Sequence, residues 1–431
     1  MRQSHFKGVV RARFLLYNRL MIVTEHRERF IPFRKRDILK MIIEDNGFKS
    51  LKDAESFNLL CGIVESIFHF DFHHDLEKLK DSYYPINPDL EKNTAPTDEQ
   101  IETANEELYS TMKKILNDAN YDQIPQEDID NAFNENAIVG FSVKIDFDAY
   151  DFAEVFSRGR RTETFTVSKL FGLRKSEHEH EILERVILFA RMKSVENIEE
   201  GADGEPGVTF IKMFKDVPLE DLEILFPNSK VTMSLKDKLM LAIPAVAAGV
   251  PLLVTKVVPA LIVAFVILSA YLGVKGTVEE DNLKQAIAVF SALGALGDFL
   301  FKQWSKYKTK KFLFQKELSD NLYFRNLVNN AGVFYSLIDS AEEEECKETF
   351  LAYYFLHIAE KGLSEEELDG RIETWMEEKH NCMMDFECGD ALAKLRALEL
   401  LIETDDGLLD VTGFKEALAV LDRRWDAFFQ Y

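Results

Sequence analysis

The stretch from Leu239 to Phe301 restricts the fold more than any other part of the chain. Leu239 to Val274 carries one charge, Lys256, and after an acidic gap at Glu279, Glu280 and Asp281 a second mostly apolar run covers Ala286 to Phe301, with Asp298 near its end. A hydrocarbon layer about 30 Å thick takes roughly 20 apolar helical residues. The first run therefore exceeds one crossing and the second falls just short of one. The expectation is an integral membrane protein. The rival, a buried helical hairpin in a soluble protein, is disfavoured by the length of the first run.

Val257 to Val274 is an uninterrupted apolar run and reads as one crossing. Leu239 to Thr255 holds Pro244, Gly249 and Pro251, which leaves two readings: an extra crossing that turns at Lys256 to Pro259, or a re-entrant or interfacial segment. Flanking charge chooses between them. Lys230, Lys236 and Lys238 precede the segment, and Lys302, Lys306, Lys308, Lys310 and Lys311 follow it. Cytoplasmic flanks collect Lys and Arg, so both long polar parts belong on one side and the number of crossings is even. Two crossings are favoured over three. The expected location is a bacterial inner membrane, or the mitochondrial inner membrane in a eukaryote, with both polar regions on the cytoplasmic or matrix side.

The formal charge of −23 disfavours nucleic acid as a partner, since phosphate contact needs a cationic face. Charge is uneven, however: residues 1–40 hold 11 Lys or Arg against three acids. Such an arm either touches anionic headgroups or is a solvated face. Its apolar run FLLYNRLMIV is broken by Arg19, which argues against a secretory signal. Cys61, Cys346, Cys382 and Cys388 form no CxxC pair, and few, irregular thiols fit a reducing compartment.

Periodicity divides the rest into a mainly α chain with one α+β domain. Residues 1–135 read as a basic arm and helical region, with helices from about Asp37, over Ser56 to Phe70 and over Asp98 to Asn117, and one more turn in QEDIDNAFNEN. Residues 136–236 read as a small α+β domain with strands in FSVKIDFDAYDF, ETFTVSKLFGL, HEILERVILFARMK, GVTFIKMFKDV and SKVTMSL, and a short helix in PLEDLEILFP. The transmembrane hairpin occupies 237–302. From Gln303 to Glu360 there is no proline and one glycine, Gly332, so this part reads as helix, beginning with an amphipathic stalk over 303–345. In 346–431, three helices followed by IETDDGLLDVT, a hairpin with an Asp-Gly turn, have the order of a winged helix. Its third helix carries Lys394 and Arg396 beside Asp390 and Glu399, and its second is acidic, so protein contact is preferred to DNA.

Three motifs carry a resemblance: ERFIPFRKRD (28–37), FKDVPLEDLEILFPNSKVTMSLKDKL (214–239) and NLYFRNLVNNAGVFYSLIDSAEEEECKETFLAYYFL (321–356). They are similar to a family of uncharacterised membrane proteins that includes the mitochondrial transmembrane protein 143 of animals, with relatives in bacteria and plants. The resemblance implies an integral membrane location and a shared domain of unknown function, and it supplies no catalytic residues. Residues 44–135 carry none of it.

Candidate sites are few. His69 and His73 lie four apart with Asp71 and Asp75 nearby, a spacing that zinc can use, but no third ligand is identifiable and the surrounding Phe residues suggest a packed helix end. His178 and His180 flank Glu179 and share a strand face, which a metal could use, but a solvated edge is the preferred reading. Cys382 and Cys388, with Glu387, read as ordinary thiols. Asp298, four residues before Lys302, belongs at the interface rather than mid-membrane. Asn321, Asn326, Asn329 and Asn330 with Arg325 read as interhelical glue, or else as a headgroup or small-ligand site. No P-loop, GxGxxG, GxSxG or HExxH pattern occurs. No catalytic, cofactor-binding or metal residue is assigned. The expected function is a non-enzymatic membrane-anchored adaptor or regulator whose partners are the bilayer and a protein or a second copy. The alternatives are an oligomeric pore or transporter and a membrane-surface metal enzyme.

Overall fold

The computed structural model describes residues 27–91, 96–129, 141–169, 174–193, 207–233, 254, 258–273 and 280–428. It is mainly helical with an antiparallel sheet. Helix α1 (Lys35–Glu44) turns Ile38 and Ile42 inward, as its spacing predicts. Helix α2 runs from Leu51 to Tyr83, much further than the expected Ser56 to Phe70. Ser50 caps it by accepting from the Asp53 amide, and the next helix breaker is Pro85, in a 3-10 turn (Tyr84–Ile86), so nothing in the chain stops it sooner. Helix α3 (Asp98–Asp118) starts in a capping box of Thr97 and Gln100.

The sheet has the order β1-β3-β4-β5-β7, from β1 (Asp122–Gln123), β3 (Tyr150–Lys169), β4 (Arg174–Met192), β5 (Thr209–Pro218) and β7 (Asn326–Asn329). FSVKIDFDAYDF is not one strand. It divides into β2 (Phe141–Lys144), a 3-10 turn (Phe147–Ala149) and the start of β3, and β2 pairs with β6 (Lys230–Met233) in a separate ribbon. ETFTVSK continues β3 rather than forming its own strand. The short helix expected after Pro218 is a 3-10 helix (Leu219–Leu225).

The aliphatic run in β4 follows from burial on both faces. Ile187 and Phe189 join the large helical core, while Val186, Leu188 and Ala190 face a second cluster under Phe226 and Leu222. Leu183 shares that second cluster with Val186, which a strict alternation over three positions forbids. The facing changes at the row Gly159, Glu184 and Asp216, where Gly159 (φ 77°) and Asp216 (φ 51°) adopt left-handed backbone.

Helix α4 (Val258–Tyr271) packs on α5 (Glu280–Arg325). Among the described residues no helix is both long and apolar enough to cross a membrane. The described part of the first expected crossing is the 14-residue α4, and the expected segment Leu239–Thr255, with Lys256, lies outside the described residues except for Val254. The basic arm up to residue 26 also lies outside them.

The helical stretch expected over 303–360 is broken once. After Arg325 the chain leaves the helix for β7, which pairs Asn329 with Lys212, Val328 with Met213 and Asn326 with Phe214. Three asparagines in five residues give little helix propensity, and the open edge of β5 supplies the hydrogen bonds instead. Asn330 (φ 51°) turns the chain into α6 (Ala331–Ile358). From Glu344 to Leu356 every residue of α6 is buried, because α1, α2, α3 and the C-terminal helices surround it.

The C-terminal part follows as α7 (Glu365–His380), α8 (Cys388–Ala397), the hairpin β8 (Leu401–Glu403) with β9 (Leu409–Val411), and α9 (Phe414–Ala427). Ser364 and Glu367 form a capping box, and Gly407 at φ 76° makes the Asp-Gly turn. Leu363 bridges to Leu409, tying the start of α7 to the hairpin.

Candidate functional site

Polar chemistry gathers in an ionic network around α6 and in a cleft beside the end of α5. The network begins with the sequence EEEECKE, in which four successive acids point all round a helix that is fully enclosed from Glu344 onward. An enclosed carboxylate needs a partner, and each of them has one. Glu342 takes the Lys35 ammonium at 2.6 Å and the His69 Nδ1 at 2.8 Å. Glu343 accepts from the Lys35 amide at 2.8 Å. Glu344 pairs with Lys347 at 2.8 Å and meets Arg158 at 3.5 Å. Glu345 pairs with Lys394 at 3.0 Å, and Glu348 takes both Lys394 and, at 2.7 Å, the Asn120 amide.

Lys347, whose side chain is only 2 % exposed, also donates to the carbonyls of Ile31 at 2.7 Å and Phe33 at 3.0 Å. The ERFIPF segment contributes one bridging residue at Glu28 and is otherwise outside the named helices and strands, so its backbone groups need other partners, and α6 supplies them through charged side chains. Arg158 and Lys347 lie 4.5 and 5.3 Å from the Phe30 ring, and Arg29 reaches Glu387 at 2.8 Å and Asp122 at 2.9 Å. Two of the long sequence motifs are thus two halves of one contact.

Burial raises the carboxyls of Glu344, Glu345 and Glu348 and lowers Lys347, whereas Lys394 is raised against burial by Glu348 and Glu345. Burial pushes the Glu345 carboxyl up to about 8, with the Glu348 charge adding to the effect and Lys394 opposing it. It raises Glu28 to about 7 against the pull of Arg160, and Asp118 to about 6 against Lys114. It lowers Lys347, with Glu344 opposing. These groups are engaged with one another and with backbone, which makes the network a clamp joining the 28–35 segment, α6 and α8.

The cleft, about 500 Å³, lies between α5 and the face of the β5–β7 edge. Phe214, Ile224, Leu225 and Phe226 form its apolar side. Lys212, Ser229, Gln315, Ser319, Asn326 and Asn329 supply polar atoms, and Tyr323 and Leu322 close it from α5. Arg325 at the end of α5 meets Asp221 of the 3-10 segment at 3.4 Å, which holds the two walls together.

The residues singled out from the sequence are mostly dispersed. Besides His69 with Glu342, Asp75 pairs with Lys114 at 2.7 Å, Asp71 approaches Arg424 at 3.8 Å, and His73 sits beside His74. Among the described residues no group of three His, Cys, Asp or Glu is placed to hold a metal ion. His178 and Glu179 fall in β4 opposite Phe165 and Thr164, and His180 Nδ1 is 3.0 Å from Glu220. Cys382 and Cys388 are buried free thiols pushed up to about 11 and 12 by burial, the wrong direction for reactive thiolates. Asp298 is exposed and paired with Lys302 at 2.7 Å.

The asparagine group is corrected most. Asn321 belongs to α5, but Asn326 and Asn329 lie in β7, and Asn330 joins that strand to its neighbour. Its amide donates to the Ile211 carbonyl at 2.6 Å, its side-chain oxygen accepts from the Ile211 amide at 3.4 Å, and its side-chain nitrogen donates to Asp89 at 2.8 Å. Asn330→Ala loses the side-chain bonds and keeps the left-handed turn, so it is expected to cost about 1–3 kcal/mol. A urea denaturation midpoint unchanged from wild type would contradict this role.

Sequence reasoning did not find the ionic network. The available signal was an acid run with no helix breaker followed directly by TFLAYYFL, since a helix apolar on all faces just downstream is an enclosed helix.

Residues 183–332 match a family described as a protein of unknown function (DUF3754). The match runs from β4 through the apolar hairpin to β7, and so takes in both walls of the cleft. It leaves ERFIPFRKRD and the acid run outside, and it draws no link to the transmembrane protein 143 group. No solved structure matches the chain.

Proposed function

We propose that this chain is a membrane-anchored adaptor or regulator without catalytic activity. The observation that carries the reading is the outer face of α4 and α5. Leu261, Ile262, Phe265 and Leu268 on α4 and Ile287, Phe290, Leu300 and Phe301 on α5 are all exposed, with Phe265 and Phe290 each 73 % open. Exposed apolar surface of this extent, on two helices packed together, belongs against lipid or another protein. Trp304 and the lysines from Lys302 onward follow at the end of the apolar stretch, as at a membrane interface. Helix α5 then continues without a break to Arg325 and passes into β7, so the anchor is rigidly joined to the sheet.

We read the end of α6, α7 and α8 with the hairpin β8–β9 as a winged-helix-like part and assign it to protein contact. Lys394 is turned into the carboxylate network and Arg396 is engaged by Glu403, so neither cation of α8 is presented as a phosphate contact. The dispersal of His69, His73, Asp71 and Asp75 among separate partners argues against the surface-enzyme alternative.

The test is to express the full chain, wash the membrane fraction with alkaline carbonate, and crosslink the retained material. Retention together with one stoichiometric partner, a second copy included, is expected. Release into the supernatant sinks the membrane anchor, and retention with no crosslinked partner sinks the adaptor.

A further inference from the structure

We propose that the cleft beside the end of α5 binds one single-chain amphiphile with an anionic head, such as a fatty acid. Directly opposed residues of an antiparallel pair project to the same side. Lys212 and Asn329 are such a pair, and so are Phe214 and Asn326; all four line the cleft. At one end the Lys212 ammonium, 5.6 Å from the Phe210 ring, stands beside the Asn329 amide, and past a bulge the next row sets the Phe214 ring beside the Asn326 amide. The arrangement suits a carboxylate at Lys212 with its chain lying over Phe214 and Phe226. A volume near 500 Å³ falls in the usual range for small-molecule sites.

The second observation is the path leading to the cleft. With 3.6 residues per turn, Ser319 lies five turns, about 27 Å, from Phe301 on the same side of α5. Between them on that side come Trp304, Lys308, Phe312 and Gln315. Phe301, Trp304 and Phe312 are exposed, and Lys308 sits 5.0 Å from the Trp304 ring. An aromatic track with a cation midway thus runs from the apolar hairpin to the cleft. The cleft geometry stands by itself; only the ligand's source in a bilayer rests on the membrane reading.

The experiment uses the delipidated full chain in a mild detergent and an anthroyloxy-labelled fatty acid as the fluorescent probe, displaced by oleate, oleyl alcohol or inorganic phosphate. Oleate is expected to displace the probe at a ratio of one per chain, and phosphate is expected not to displace it. Lys212→Gln is expected to weaken oleate about tenfold, the worth of one charge-assisted hydrogen bond, and to leave oleyl alcohol unchanged. Ser319→Trp, at an exposed position on the cleft wall, fills the space and is expected to abolish binding of both. Absence of saturable binding, full binding in Ser319→Trp, an oleate affinity unmoved by Lys212→Gln, or displacement by phosphate each overturns the proposal. A chain retained through the carbonate wash that binds no oleate loses the cleft assignment alone, and one that binds oleate after release from the membrane keeps it.

Discussion

Lys394→Ala is expected to destabilise the protein by about 3–5 kcal/mol at neutral pH, because it leaves Glu345 and Glu348 enclosed without their shared cation. The loss grows with pH. Burial already holds the Glu345 carboxyl near 8, above its unfolded value of 4.5, so the folded chain binds the extra proton. The stability tied to that proton is complete below the unfolded value and declines as pH rises towards 8. Without Lys394 the carboxyl is driven higher still, so the decline continues to higher pH than in the native chain. Glu345→Gln in the otherwise native chain is expected to flatten the pH dependence between about 5 and 8. Adding Glu345→Gln and Glu348→Gln to Lys394→Met is expected to restore most of the stability, since a neutral, size-matched set replaces the ion cluster. Denaturant midpoints measured across that pH range check all three statements. A Lys394→Ala midpoint equal to wild type at every pH would show that the carboxylates are solvated.

Replacing both Phe265 and Phe290 by aspartate is expected to abolish membrane retention on the anchored reading. An Asp at the centre of an apolar span costs about 3 kcal/mol in insertion, so the pair opposes insertion by about 6 kcal/mol, or roughly four orders of magnitude in partition. Both positions are on the outer face, away from the helical core, so the sheet and α6 are expected to fold as before. Carbonate-washed membranes read the first effect, and far-ultraviolet circular dichroism of the released protein reads the second. Equal retention of the double variant would mean that the apolar face is covered by protein rather than lipid.

Much of the local structure was legible from the chain. The 3.6-residue spacing of Ile38 and Ile42, the capping box at Thr97, the aliphatic run of β4 and the Asp-Gly turn each produced the expected element, since each depends on neighbours within a few residues. The ends were less legible. Helix α2 passes well beyond Phe70 because charged residues do not stop a helix when one face is still packed. Of the candidate site, Asn326 and Asn329 were noticed, but as helix residues. Their pairing partners on β5, Lys212 and Phe214, lie more than a hundred positions earlier, where the sequence shows only a strand.

What the sequence by itself determined was the set of segments: an apolar double run, helices before and after it, strands between, and thiols without a pairing pattern. These follow from composition and period, which act locally. The tertiary structure alone decided which charges are enclosed and which strand edges are closed. An acid run such as Glu342 to Glu345 looks solvated until Lys35, Arg158 and Lys394 arrive from three distant places to compensate it. Residues Asn326 to Asn329 become a strand because β5 presents an unpaired edge at that point, and backbone hydrogen bonding to it outweighs a weak helical preference.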